Sequence, residues 1–157
     1  MQDVVIVAAT RTAIGAFQGA LANVSATELG STVIRALLEK TGIDPATVDE
    51  VIMGNVVGAG QGQNVARQAM IKAGISKETN AFTVNKVCGS GLKTAMYAAQ
   101  AIKAGDGQLF VAGGMESMSS APYVVPSARW GARLGDAEMV DVLQHDGLFC
   151  AFDHCTM

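Results

Sequence analysis

The sequence has few charged and few aromatic residues, and neither sign of charge dominates. Of its 157 residues, 16% are charged and 5% are aromatic, and the formal net charge is −3. A chain without a basic excess lacks the usual electrostatic signature of binding to nucleic acid or to an anionic membrane surface. No apolar run approaches the roughly 20 residues that a membrane-spanning helix requires. These absences argue against a nucleic-acid partner and against a membrane protein.

Cysteine and proline are also scarce, with three residues of each. A small, odd number of cysteines is a poor basis for a disulfide framework and is typical of a reducing compartment. The N-terminus, Met1-Gln2-Asp3, lacks the basic start of a secretory signal peptide and leads directly into an apolar run. We therefore expect a cytoplasmic protein.

Short apolar runs alternate with helical patterns along residues 4–118. Half of all residues are hydrophobic and 18 are glycine, which suits a closely packed α/β protein. A capping box at Ser25–Glu28 predicts the start of a helix that ends at Gly42, and a second helix is predicted at 64–73. The predicted strands are residues 4–9, 51–57, 81–84 and 108–114. This alternation predicts an α/β fold whose mostly parallel sheet has helices on both faces.

Residues 119–157 have no clear hydrophobic period and are interrupted by prolines and glycines. They predict an irregular loop segment, and long loops in compact proteins are usually functional. We therefore divide the chain into an α/β domain at 1–118 and this segment at 119–157. Trp130, the only tryptophan, is interpreted as a residue that packs within the loop, with an interface anchor as the alternative.

Cys88 lies where a predicted strand meets a helix with an apolar face. That face contains Leu92, Ala95, Met96, Ala99 and Ile102. Unpaired N–H groups and the positive end of the helix dipole stabilise negative charge at such a junction, which favours a nucleophilic thiolate. Gly89 and Gly91 leave room for an acyl group beside the sulfur. Without further context, a cysteine in this setting is more often a small buried hydrophobe.

Other kinds of site fit the sequence less well. The turn Cys88–Gly91 is not the G-x-G-x-x-G of a dinucleotide site, and Gly58–Gly62 lacks the Lys and Ser/Thr of a phosphate loop. Four zinc-type ligands near the C-terminal end match none of the usual zinc spacings. They are His145, Cys150, His154 and Cys155. We expect no metal site.

A long motif surrounds Cys88, Asn85-Lys86-Val87-Cys88-Gly89-Ser90-Gly91-Leu92-Lys93, and it resembles the nucleophile motif of thiolases, the acetyl-CoA acetyltransferases. The resemblance continues in order along most of the chain. Its other blocks are Arg11–Gly15, Gly54–Val56, Asn64–Arg67, Gly113–Ser119, Ser127–Gly131 and Asp146–Leu148. It implies the thiolase N-terminal domain for residues 1–118 and an incomplete loop domain for 119–157. It also outweighs the interpretation of Cys88 as a buried hydrophobe.

The resemblance implies that Cys88 attacks the thioester of an acyl-CoA, forming an S-acyl enzyme and releasing CoA. A second acetyl-CoA then loses an α-proton and attacks the acyl group, which gives acetoacetyl-CoA or a 3-ketoacyl-CoA, and degradation runs these steps backwards. The backbone N–H of Cys88 is expected to donate to the oxyanion of the tetrahedral intermediate. Leu148 and Met157 match positions that line the pantetheine and acyl pocket in thiolases. Coenzyme A thioesters are thus expected as substrates, with no permanently bound cofactor.

Three thiolase motifs do not occur in this sequence: Gly-His-Pro, which supplies the base, Cys-x-Gly-Gly-Gly, which handles the α-proton, and Asn-Glu-Ala-Phe, whose Asn serves an oxyanion. Thr156 also stands where many thiolases have a His, and His154 lies two residues earlier. Because the base is missing, we expect the chain by itself to be catalytically silent, or at best slowly alkylated at Cys88.

Two alternatives stay open. A β-ketoacyl synthase or another condensing enzyme of the same superfamily also sets its Cys at a strand-to-helix turn, although the motif blocks favour a thiolase. A non-catalytic half-thiolase subunit would instead pair with a separate second subunit. The family further implies a homo-oligomer, a dimer of dimers, in which a sheet edge pairs across a two-fold axis.

Overall fold

A parallel sheet with helices on both faces is the centre of the fold. The computed structural model describes residues 3–157. The strands of this sheet are β1 (Glu50–Gly54), β2 (Asn80–Val84) and β3 (Phe110–Gly114), and the helices are α1 (Ala26–Thr41), α2 (Val65–Lys72) and α3 (Ser90–Ala104). The strand order is β2-β1-β3, with β1 parallel to both neighbours. The helices α2 and α3 are the crossover connections that parallel strands require. The predicted fold class is confirmed.

Local sequence signals set the ends of α1. The Ser25 hydroxyl accepts a hydrogen bond from the Glu28 N–H at 3.2 Å, and the Glu28 carboxylate accepts one from the Ser25 N–H at 2.9 Å. This is the predicted capping box. At the other end Gly42 adopts a φ of +66° and donates to the Leu38 carbonyl, as in a left-handed helix stop. Both predictions for this helix are confirmed.

The main hydrophobic core lies between the sheet and the pair α1 and α2. Its largest fully buried side chains come from α1, α2 and β1, respectively Ile34, Met70 and the pair Val51 and Met53. Burying each such side chain stabilises the fold by about 1.5–3 kcal/mol. Successive strand residues face opposite sides of a sheet, so Ile52 lies on the other face, which α3 covers.

The helix predicted after Cys88 is present as α3, but its apolar stripe is not the face that packs against the sheet. Leu92 is 73% exposed and Met96 is 48% exposed. The residues that α3 buries are instead small, namely Ser90, Thr94 and Ala98. Small residues recur at helical spacing just as the apolar ones do, and only they allow the helix backbone to lie close to the strands. A contiguous apolar stripe of α3 is therefore left facing outward.

The predicted first strand, residues 4–9, is also wrong for this structure. Residues 3–16 contain no helix or strand, and Ile6 is 88% exposed. A cavity of about 540 Å³ lies between this segment and the elements α1, α3 and β3. The outer edge of β3 has no partner strand within the described residues. Strand formation depends on pairing with a distant edge, and here the segment stays separated from that edge.

Residues 119–157 form the irregular segment that the sequence predicts. A short antiparallel pair, β4 (Tyr123–Val124) with β5 (Val140–Asp141), is its only sheet within the described chain. Helical turns lie at Met118–Ser120, Ala128–Trp130 and Leu143–Leu148. Trp130 is 80% exposed, so its interpretation as a residue packed within the loop is wrong. The boundary between residues 118 and 119 stays a prediction.

No helix among residues 3–157 is both long and apolar enough to cross a bilayer.

Candidate active site

Cys88 lies in an exposed turn between β2 and α3. Its thiol is free and exposed, and α3 begins two residues later at Ser90, with Gly89 as the capping residue. The prediction that Cys88 lies at the start of a helix is confirmed. The turn projects from the carboxyl ends of the parallel strands, the edge where open α/β sheets bind their ligands. The sulfur is therefore accessible at an edge suited to binding.

The residue before the cysteine has an uncommon backbone conformation. Val87 adopts a φ of +49°, a region that β-branched residues rarely enter because of steric clashes. Such a conformation costs on the order of 1–3 kcal/mol and persists only when its surroundings enforce it. The Val87 N–H donates to the Asn85 side-chain oxygen at 3.0 Å, and the Val87 carbonyl accepts from the Ser90 N–H at 3.0 Å. The turn is thus held from both sides.

A close approach between α3 and β1 fixes the start of the helix. A Cβ added at Gly54 would lie 2.7 Å from the Ser90 Cβ and 2.9 Å from the Gly91 nitrogen. A Cβ added at Gly114 would likewise lie 3.3 Å from the Gly91 Cα. Since no side chain separates these backbones, the first turn of α3 rests directly on the ends of β1 and β3. The position of Cys88 follows from this contact.

A half-buried carboxylate network joins the same strand ends. The Glu116 carboxylate accepts hydrogen bonds from the Asn55 amide at 2.8 Å and from the backbone N–H groups of Val56 at 2.9 Å and Val57 at 3.2 Å. The Asn55 amide also donates to the Met115 carbonyl at 3.1 Å. Asn55, Val56 and Glu116 belong to the blocks Gly54–Val56 and Gly113–Ser119, for which the sequence alone predicts no role. Their role here is to lock the loop after β1 to the loop after β3.

Leu148 and Met157, the two predicted pocket residues, are brought together by the backbone. The Met157 N–H donates to the Leu148 carbonyl at 3.0 Å, and Phe149 and Thr156 form an antiparallel bridge between them. Both side chains are exposed, Leu148 by 37% and Met157 by 74%. Within the described residues no hydrogen bond joins either of them to Cys88. The structure therefore pairs two of the three predicted site residues through their backbones.

The polar residues near the C-terminal end form local pairs. The His145 Nδ1 lies 2.6 Å from the Asp146 carboxylate, and the Cys150 thiol lies 3.3 Å from that of Asp153. Thr156, which stands at a position where thiolases often have a His, contributes only its backbone to the bridge with Phe149. No group of three or more metal-ligating side chains is found within residues 3–157.

The carboxyl groups with shifted pKa values lie away from Cys88. Backbone N–H groups of Gln108 and Leu109 donate to Asp49 and hold its pKa below the usual value. The capping contacts of Ser25 lower the pKa of Glu28 in the same way. Burial raises the pKa of Glu50, and the nearby charge of Asp106 adds to that rise. These shifts bear on stability rather than on the thiol.

Comparison with known proteins gives a consistent result along the whole chain. The family model for the thiolase N-terminal domain matches residues 4–157. The acetyl-CoA acetyltransferase of Pseudomonas aeruginosa is 61% identical over 153 residues, which cover 98% of this chain and 39% of that protein. The acetyl-CoA acetyltransferases of Escherichia coli and Cupriavidus necator are 59% and 56% identical, over 96% and 100% of this chain and 39% and 40% of their own lengths. The chain thus spans about two fifths of the length of these relatives.

Proposed function

The chain belongs to the thiolase family, and from this premise we propose that it is the nucleophile-bearing part of an acetyl-CoA C-acetyltransferase. In this proposal Cys88 accepts an acyl group from a coenzyme A thioester. The complete reaction forms or cleaves acetoacetyl-CoA or a longer 3-ketoacyl-CoA. The relatives' names supply the substrate class, and the residues around Cys88 supply the chemistry.

One observation carries the proposal: the Cys88 thiol is exposed in a backbone-strained turn that leads directly into α3. Strained conformations of this kind concentrate where a reactive group must be presented. The N-terminal N–H groups of a helix favour a thiolate and the oxyanion that forms on an acyl carbonyl. A buried structural cysteine would need none of these features.

The proposed acyl transfer moves the acyl group from the sulfur of CoA to the sulfur of Cys88. The Cys88 thiolate attacks the thioester carbonyl carbon and forms a tetrahedral oxyanion, which the backbone N–H of Cys88 stabilises. The carbon–sulfur bond to CoA then breaks, and CoA leaves as a thiolate. One thioester replaces another of similar energy, so the step is readily reversible. The hairpin that pairs Leu148 with Met157 is the proposed contact for the pantetheine and acyl groups.

The second half of the reaction needs groups that this sequence does not contain. Without the Gly-His-Pro and Cys-x-Gly-Gly-Gly motifs, nothing in the chain is expected to remove the α-proton of a second acetyl-CoA. The exposed stripe of α3, with Leu92 and Met96, is a surface that further protein would cover, either a second half or a partner subunit. We therefore expect the chain alone to give no turnover.

A labelling experiment tests the nucleophile. The folded chain is incubated with isotope-labelled acetyl-CoA, and its cysteine peptides are quantified by mass spectrometry. We expect slow, single-turnover acetylation of Cys88, in excess over Cys155, which is also exposed, and no thiolysis of acetoacetyl-CoA. The variant Cys88→Ala gives the background. Equal labelling of the two cysteines would contradict the nucleophilic role, and thiolysis at enzymatic rates would contradict the expected silence.

We also propose a cytoplasmic homo-oligomer, a dimer of dimers. The free cysteines support a reducing compartment. The strand β2 lies at one edge of the sheet, and an unpaired strand edge is a template for pairing with a second copy. Light scattering of the chain over a range of concentrations tests the assembly, and a strictly monomeric mass would count against it.

A further inference from the structure

We propose that Ser90 is a positioning residue for Cys88, and that its hydroxyl holds the turn that presents the thiol. This inference rests on the proposed role of Cys88 and assigns a specific task to a neighbour. Ser90 is the first residue of α3 and is 4% exposed. The hydrogen bonds of its hydroxyl go to the backbone of Lys86 and Val87, so it acts through the backbone of the turn.

The Ser90 hydroxyl makes two short hydrogen bonds to the residues just before the cysteine. It accepts from the Lys86 N–H at 2.8 Å and donates to the Val87 carbonyl at 2.6 Å. The Val87 carbonyl also accepts from the Ser90 N–H at 3.0 Å. One residue therefore holds the Lys86 N–H and the Val87 carbonyl, which lie before and after the residue whose φ is +49°.

Ser90 can hold the turn in place because its own side chain is buried against β1. Its Cβ is pressed against β1, where an added Cβ at Gly54 would come within 2.7 Å. Cys88 has no such anchor: within the described residues its thiol makes no hydrogen bond, and its side chain is exposed. The direction of the thiol is consequently set by the backbone of the turn, and that backbone is held by Ser90.

The substitution Ser90→Ala tests the proposal on the chain itself. The removed hydroxyl leaves the Lys86 N–H and part of the Val87 carbonyl unsatisfied, so Val87 returns to a relaxed φ and Cys88 moves away from the helix N–H groups. We expect the rate of Cys88 alkylation by iodoacetamide, divided by that of Cys155, to fall about two- to fivefold, the range of one lost helix-dipole contact. The ratio is measured at neutral pH by peptide mass spectrometry.

Internal and matched controls separate positioning from loss of structure. Cys150 is half-buried, so general loosening would raise its alkylation, whereas a positioning defect leaves it unchanged. Thr94→Val removes another buried hydroxyl from the same helix, one that lies 2.7 Å from the Gly91 carbonyl and 3.0 Å from that of Gly113. It should leave the ratio of Cys88 to Cys155 at the parent value.

A second variant breaks the turn without touching the buried hydroxyl. Val87 is half-exposed, and Val87→Pro fixes φ near −65°, which excludes the observed conformation. We expect the same fall in the alkylation ratio as for Ser90→Ala. Parent-like ratios in Val87→Pro, or in a folded Ser90→Ala, overturn the proposal. Since iodoacetamide needs no acyl transfer, this result is independent of the acetyl-CoA labelling that tests the function.

Discussion

The two faces of the central sheet differ in the size of the residues that fill them. On the face covered by α1 and α2, large side chains such as Ile34 and Met70 are fully buried. On the face covered by α3, Ile52 is the large fully buried side chain, and at the strand ends no side chain separates Gly54 from the backbone of Ser90 and Gly91. The first face buries more apolar side-chain surface, whereas the second brings the start of α3 close to the strand ends. We conclude that one face mainly supplies stability, and the other mainly supplies the position of Cys88.

The largest expected effect tests the first face. Ile34→Ala removes a fully buried side chain from α1 and should lower the free energy of unfolding by about 2–5 kcal/mol, through lost burial and the cavity left behind. Urea unfolding followed by circular dichroism measures it. The matched control is Leu92→Ala on the exposed stripe of α3, for which a change within about 0.5 kcal/mol is expected. Equal losses in the two variants would remove the contrast between the faces.

A smaller effect tests the second face. Gly54→Ala places a methyl group within 2.9 Å of the Ser90 and Gly91 backbone, and should cost about 1–3 kcal/mol by overpacking. Because α3 must shift, we also expect slower alkylation of Cys88. Gly91→Ala is the control, since its Cβ would meet the nearest atoms at an ordinary 3.7 Å. Should Gly54→Ala keep parent stability and alkylation, the close approach would not be what positions the thiol.

The helix cap offers a still smaller effect, confined to the first face. Ser25→Ala removes the acceptor for the Glu28 N–H and should lower the free energy of unfolding by about 1 kcal/mol. Alkylation of Cys88 should be unchanged, since α3 contributes no residue to the described core cluster that α1 helps to form. A change in Cys88 reactivity with Ser25→Ala would show that the two faces are coupled.

The smallest expected effect is the dependence of stability on pH. The pKa values of Asp49 and Glu28 are lowered in the folded state by donated hydrogen bonds. Their contribution to stability is therefore present above the ordinary carboxyl pKa and is lost as the pH falls through the folded value. Asp49→Asn should reduce the urea midpoint at neutral pH, and the difference from the parent should begin to shrink near the ordinary carboxyl pKa and vanish only below the lowered pKa of folded Asp49. A difference that persists at low pH would contradict the hydrogen-bond origin.

Glu50 has the opposite sign. Burial raises its pKa, so its contribution is present below the unfolded pKa and is lost as the pH rises through the folded value. Glu50→Gln should accordingly raise the urea midpoint slightly at neutral pH and have no effect in acid. A lower midpoint at neutral pH would show that the charged form of Glu50 is stabilised after all.

Sequence reasoning succeeded where neighbouring residues decide the structure. The capping box of Ser25 and Glu28 spans four residues, so its partners are only three positions apart along the chain before it folds. Cys88 at a helix start is equally local, because a strand pattern and a helix pattern meet there. The failures involve distant partners. Residues 4–9 have the composition of a strand, but pairing depends on the edge of β3, which lies about a hundred residues further along the chain.

The packed face of α3 and the carboxylate network cannot be predicted from local sequence, for the same reason. The helix has an apolar stripe and a stripe of small residues, and the choice between them depends on Gly54, which belongs to a strand far earlier in the chain. Glu116 finds its partner Asn55 across 61 residues. Neither contact follows from composition or spacing. Asn55 and Glu116 do lie just after the ends of β1 and β3, so a known strand order would have indicated that they are close together.

The uncovered segment Val4–Ala9 has a consequence for the behaviour of the protein at high concentration. It is a six-residue apolar run without charge, proline or glycine, its side chains include some of the most exposed aliphatic groups of the chain, and it pairs with no strand among residues 3–157. Segments of this type stack into cross-β fibrils. Aggregation should therefore begin here, and a single lysine at Ile6 should delay fibril growth without altering the packed face of the sheet.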